Sequence, residues 1–302
     1  AANLVCGQVV FNRDFSIRMQ TFDFRKLTLD HVRELVSWAK QEGWNPGLED
    51  AELFYLADPD GFYGYFKEEE LIGGGSLVSY DGEFGFMGLY IMKPEYRSQG
   101  IGRLLWNQRK NTLLSRLKPQ AAIGMDGVVA MQSFYHKGGF ELAFTDERHE
   151  NTGKNYPIHL AVSAIIPEDV PMILTFDKQC FGFDRTQFMQ AWLFQTQGEA
   201  FKYSTSDGLQ GFAVLRKVSH GYKIGPLFAE NLAVAEALYE RCLTAVGDDK
   251  VYLDIPLCNP LAVALTTKYQ TQAIFECGRM YHGAAPSLPI HKVFGITTFE
   301  LG

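Results

Sequence analysis

Cysteine is sparse in these 302 residues: five stand at 6, 180, 242, 258 and 277, an odd number with no CxxC pair. That pattern excludes a disulfide framework and a zinc site, and predicts a reducing, cytoplasmic home. Histidine does not cluster at metal spacing either. His31, His149 and His282 read as surface polar residues, and no metal is expected. The longest apolar runs, such as Leu160–Ile166, fall far short of the ~20 residues that cross a bilayer, so no membrane partner is expected. Ala1–Phe15 lacks a basic start followed by a long apolar stretch, so a secretory leader is not expected. Positive charge is scarce, with 28 Lys and Arg against 35 Asp and Glu, a net charge of −7. Nucleic acid is therefore not the expected partner, because phosphate neutralisation needs a basic face. What is abundant is apolar material, 46% of residues, enough to bury a core, in a length that allows two domains of ~100–200 residues.

Strand and helix signals alternate from residue 16. Ser16–Phe24 reads as a strand, and Thr28 caps a helix to Gln41 with Val32, Leu35, Val36 and Ala39 on one face. Gly43–Gly47 breaks it, and Glu49–Ala57 forms a second helix. Strands follow at Phe62–Lys67, Leu71–Tyr80 and Glu83–Met92, with Asp81-Gly82 as a hairpin turn. Then come a helix from Gly100 to Leu117, a strand Ala121–Met125, a helix Val128–His136 and a strand Gly139–Phe144. This order predicts an α/β protein of the α+β type, with a mixed central sheet flanked by helices. The second half repeats the tail of the order: strands Gln210–Lys217 and Tyr222–Gly225, helix Asn231–Val246, strand Val251–Ile255, helix Pro260–Lys268 and strand Ala273–Met280. An offset of 131 residues carries Gly100 onto Asn231 and Val128 onto Asn259, each the start of a matching helix, so a duplication is expected. The halves divide at 1–160 and 161–302 without a Gly/Ser linker.

The informative stretch is Pro94–Arg103, which follows a strand and opens a helix. Gly100 and Gly102 let backbone approach a ligand, and the first helical turn offers free N–H groups backed by the helix dipole. With Arg97 and Arg103 beside it, the segment Arg97, Ser98, Gln99, Gly100, Ile101, Gly102, Arg103 suits a pyrophosphate. It is neither GxxxxGK[ST] nor GxGxxG, since residue 105 is leucine.

Arg-x-x-Gly-x-Gly after Tyr90–Pro94 resembles motif A of the GCN5-related N-acetyltransferases (GNAT), and Ser133–Phe140 resembles their motif B. A narrower resemblance, through Gly43–Gly47, Phe84–Arg97, Gly124–Val128 and Phe294–Gly302, is to a subgroup pairing an N-terminal GNAT domain with a divergent GNAT-like C-terminal domain. Val128 and Met131 stand where motif B usually has Asn and Ala, which removes one side-chain hydrogen bond to the pantetheine arm. In the second half Asn259, Ala262 and Leu265 fit motif B, with Thr266 at the Tyr position. Phe228–Ala233 has lost both glycines and the arginine of motif A, and Glu230 would repel phosphate. That half is not expected to bind acetyl-CoA.

The resemblance implies acetyl-CoA as acyl donor and direct attack by a primary amine, with a small molecule as the favoured acceptor. Alternatives are protein or peptide N-acetylation and a non-catalytic acyl-CoA sensor. It implies that the backbone amides of Ile91 or Met92 polarise the thioester, that Tyr135 protonates the departing thiolate, and that Trp44 and Asn45 line the acceptor pocket. Asp126 is the nearest candidate base, although its position also suits a helix cap; the Gly302 carboxylate is a further candidate, and Phe54 and Tyr55 suit core packing better than the pocket. The expected assembly is a monomer whose tandem domains mimic a dimer, or a homodimer.

Overall fold

Thr28 begins the first helix as expected: its hydroxyl accepts the His31 N–H, while the His31 ring accepts the Thr28 N–H. The computed structural model describes residues 22–302, so most of the expected strand Ser16–Phe24, along with Cys6, lies outside the described residues. The first half contains β1 (Asp23–Lys26), α1 (Leu29–Gln41), α2 (Asp50–Ala57), β2 (Phe62–Lys67), β3 (Glu70–Tyr80), β4 (Phe84–Met92), α3 (Ile101–Arg116), β5 (Ala122–Val128), α4 (Gln132–Lys137) and β6 (Glu141–Thr152). The second contains β7 (Val162–Ala164), α5 (Val170–Phe181), α6 (Thr186–Leu193), β8 (Gly198–Thr205), β9 (Gly208–Lys217), β10 (Tyr222–Ala229), α7 (Leu232–Ala245), β11 (Lys250–Pro256), α8 (Pro260–Lys268), β12 (Gln272–His282) and β13 (Val293–Gly295).

Two expectations are corrected. The helix expected from Val128 starts later, because Gly127 and Val128 stay in the ladder opposite Gly278 and Cys277. The strand expected to end at Phe144 runs on to Thr152, since β11 offers it a partner along that length. The duplication is visible: the offset of 131 that carries Ile101 to Leu232 also carries Glu141 to Gln272, all four being element starts.

One sheet joins the halves in the order β1-β2-β3-β4-β5-β12-β6-β11-β10-β9-β8-β7. The last strands of the two repeats are exchanged. β12 pairs with β5, β6 pairs with β11, and β6 and β12 pair with each other at the centre, all antiparallel. Neither half therefore completes its sheet alone. The core is shared as well: Leu35, Phe54 and Phe86 belong to the same buried cluster as Phe181, Trp192 and Phe228. Phe54 lies nearly parallel to Trp192 at 6.4 Å and Tyr55 packs on Phe62, so both are packing residues. A buried pair, Arg216 Nε to Asp50 Oδ1 at 3.1 Å, ties α2 to β9. Among the described residues no helix is long and apolar enough to cross a membrane.

Candidate active site

The site begins where β4 and β5 part. They pair in parallel only from Phe84↔Ala122 to Met87↔Met125. Beyond this, Leu89 takes a left-handed conformation (φ 49°) and the register of β4 with β3 shifts. Lys93 N–H donates to Ile72 O at 2.9 Å, so antiparallel alternation turns the Met92 amide away from β3 and the Ile91 amide towards it. Arg97 Nε bonds the outward-facing Met92 carbonyl at 2.9 Å. Of the two amides expected to polarise a carbonyl, Met92 thus has the free one, although both residues line the cavity.

A cavity of about 970 Å³ fills the gap. One end is the expected cradle. Gly100 caps α3 at φ 81° with open space where a side chain would stand, and the amides of residues 98–103 have no backbone acceptor among the described residues. Arg97, Ser98 and Gly102 line the cavity, whereas Gln99 and Arg103 are exposed beside it. The Ile101 side chain packs in the core with Leu105 and Met92, which leaves its amide as the part of the residue at the helix start. Arg97 is held by Glu42, and Gln99 bonds the Glu95 carbonyl at 2.7 Å.

Tyr135 lines the cavity from α4. Its hydroxyl has no hydrogen-bond partner among the described residues, and burial pushes its pKa up to about 12, with Tyr90 adding to the rise and Arg109 opposing it. Arg109 is fully buried, donates to the carbonyls of Ser76 and Gly88, and lies over the Tyr90 ring at 5.3 Å. Its Nε and Nη1 find no partner among the described residues, and burial lowers its pKa to about 10.

Asp126 is neither a cap nor a free carboxylate. Arg279 from β12 grips it with two bonds of 2.6 and 2.9 Å. Burial pushes its pKa up and Arg279 opposes that push. Asn45 lines the cavity, and its side chain donates to His220 O (3.1 Å) and accepts from His220 N–H (2.8 Å), so it also docks one half to the other. Trp44 does line the cavity; its carbonyl accepts from Arg148 and Lys223. Gly302 lies against Phe86 and borders a separate void of about 30 Å³.

Sequence reasoning missed the wall supplied by the second half: Tyr252, Phe275, Phe299 and Glu300. Arg148 supports it, bridged to Asp254 at 2.7 and 2.8 Å and lying over Phe299 at 5.1 Å. The tail match at Phe294–Gly302 was the one available signal.

In the second repeat the equivalent gap is filled. Asn231 caps α7 by accepting the Val234 N–H at 3.1 Å, and Glu230 pairs with Lys292. β10 and β11 also part, pairing only from Tyr222↔Val251 to Ile224↔Leu253, but β13 fills that gap by pairing with β10. Asn259 holds the plug, donating to Val293 O at 2.9 Å.

A mixed central sheet whose strands part beside an open helix start points to an acyltransferase of the GNAT fold. Residues 29–140 match the model of the acetyltransferase (GNAT) family, and residues 173–295 match that of an acetyltransferase (GNAT) domain. The chain is a two-domain member of the GNAT acyltransferase family. It is 28% identical over 292 residues to holothin acyltransferase of Pseudoalteromonas sp. (strain SANK 73390), covering 94% of this chain and 95% of that one. A candidate acetyltransferase from Pyrococcus horikoshii shares the fold, with a TM-score of 0.80 at 21% identity over 97% of this chain and all of that one (100%). So does a tandem GNAT protein of the clavulanic acid biosynthesis pathway, with a TM-score of 0.59 at 12% identity, covering 88% and 100%. Among the described residues no group of His, Cys, Asp and Glu is arranged to hold a metal.

Proposed function

We propose that the chain is an acetyl-CoA-dependent N-acetyltransferase for a small primary amine, with residues 1–160 as the catalytic half and 161–302 as the half that closes the acceptor side. The observation that carries this reading is the contrast between two equivalent helix starts: Gly100 leaves its amides open onto a cavity, while Asn231 and β13 shut the other. The free amides of residues 98–103 fit a diphosphate, with Arg97 and Arg103 adding charge. Acetyl-CoA supplies an activated thioester. The Met92 N–H is placed to donate to an oxygen that gains negative charge, and Tyr135, still protonated at neutral pH, is placed to give its proton to the thiolate. A compact acceptor is supported by the wall of Tyr252, Phe275 and Phe299, and by likeness along nearly the whole chain to a protein named as an acyltransferase of holothin.

The test is thiol release from acetyl-CoA across amino acids, aminosugars, polyamines, arylalkylamines and peptides. Tyr135→Phe is expected to lower kcat by ~100-fold with the dissociation constant for acetyl-CoA unchanged. Peptide turnover alone, or an unaltered kcat in the variant, contradicts the reading.

A further inference from the structure

Three carboxylates line the cavity, and two are already engaged: Glu42 by Arg97 and Asp126 by Arg279. Glu300 is the third. Its side chain has no hydrogen-bond or ion-pair partner among the described residues, although the residue is only 9% exposed. Its place is fixed through its backbone. Ser76 Oγ accepts the Gly88 N–H at 2.9 Å and donates to Glu300 O at 3.3 Å, so the tail is clamped beside the residue where β4 leaves β5. Tyr80 adds a 2.7 Å bond to Leu301 O, and Thr298 Oγ1 accepts the Leu301 N–H at 3.0 Å. The next residue back, Phe299, is held between Phe275 and the Arg148 guanidinium, whose charge Asp254 already balances.

Lys223, whose Nζ donates to the Trp44 carbonyl, and Arg148, bound to Asp254, are the cations facing Glu300, and neither bonds it. A carboxylate without an ion pair among aromatic walls suits one positive charge on a flat apolar body. Resting on the function proposed above, we propose that Glu300 is the acceptor-ammonium site, that Trp44, Tyr252, Phe275 and Phe299 receive an arylalkyl group, and that Glu300 takes the first proton from the nitrogen. A lysine-like amine is less than ~0.1% neutral at pH 7, so that proton must leave before attack. The transfer to a carboxylate is uphill, and it is drawn forward because attack on the thioester consumes the neutral amine. The neutral nitrogen then bonds to the acyl carbon and the C–S bond breaks. Tyr135 protonates the sulfur and is itself restored by the second nitrogen proton, while Glu300 releases the first to solvent.

The test compares 2-phenylethylamine, cationic at about pH 7.5, with aniline, which is neutral there, and spermidine, which carries several charges. Wild type is expected to prefer 2-phenylethylamine to spermidine by at least ~10-fold in kcat/KM, and Glu300→Gln to lower the 2-phenylethylamine value by ~100-fold while changing that for aniline by less than ~5-fold. Glu300→Asp should fall between, and calorimetric acetyl-CoA affinity should stay constant. Equal losses for both amines, a preference for spermidine, or no turnover of 2-phenylethylamine by a wild type that binds acetyl-CoA would overturn this inference alone. Failure to bind acetyl-CoA would overturn the proposed function itself.

Discussion

Lys223 is fully buried beside two other cations, Arg148 and Arg216, with Asp254 and Glu300 as the acidic groups facing it. Burial first, and then the two arginines, bring its pKa down to about 7. Unfolded, the same side chain keeps its proton up to ~10.4. Between those values the unfolded chain holds the extra proton, so this group makes stability rise with pH across the window. Melting measured from pH 7 to about 9.5 should show the wild type gaining a few degrees that Lys223→Met does not; parallel curves would contradict the assignment. Residues of this kind were illegible in the sequence, because their partners come from strands far apart in the chain. Asp126 shows the same limit. Its place near the gap was readable from the end of a predicted strand, but its engagement by Arg279 depends on a strand more than a hundred residues later.

At the scale of elements, local signals were read well where glycine, proline or a cap sets a boundary. The hairpin at Asp81-Gly82 has φ of 51° and 72°, as its residues require. The loop before α3 was legible for the same reason: Gly100 must be where the backbone turns left-handed. α5 was overlooked although Pro171 opens it, Ile173, Phe176 and Cys180 share its buried face, and Gly182 ends it. Gly102 proved to have a second duty. A Cβ there would collide with the Tyr90 hydroxyl, and Tyr90 lies on Arg109 at the cavity wall. Gly102→Ala is therefore expected to weaken acetyl-CoA binding by ~10-fold, about 1.4 kcal/mol, in a calorimetric titration. An unchanged affinity would contradict binding at this helix start.

At the scale of the whole molecule, the exchange of β6 and β12 escaped the sequence for a simple reason. Both strands come from the same repeat position, and either could complete either sheet with the same alternation. The duplication was readable from spacing, but the pairing was not. It makes the halves interdependent: residues 22–164 alone leave β5 without β12 and β6 without β11, and they uncover Phe54 and Phe86. A fragment ending at residue 164 should be aggregated or inactive in gel filtration and thiol-release assays; a soluble fragment with full activity would contradict this account. The same tail that plugs the second repeat through β13 carries Glu300 to the first. Closure of the gap in the second repeat and completion of the cavity wall in the first are thus one structural event.

The most direct test of the account is the stoichiometry of acetyl-CoA binding by isothermal calorimetry on the full chain, with Gly102→Ala beside it. One ligand per chain, weakened by the substitution, is the expected result. Two ligands per chain, or a single one indifferent to Gly102, would contradict it.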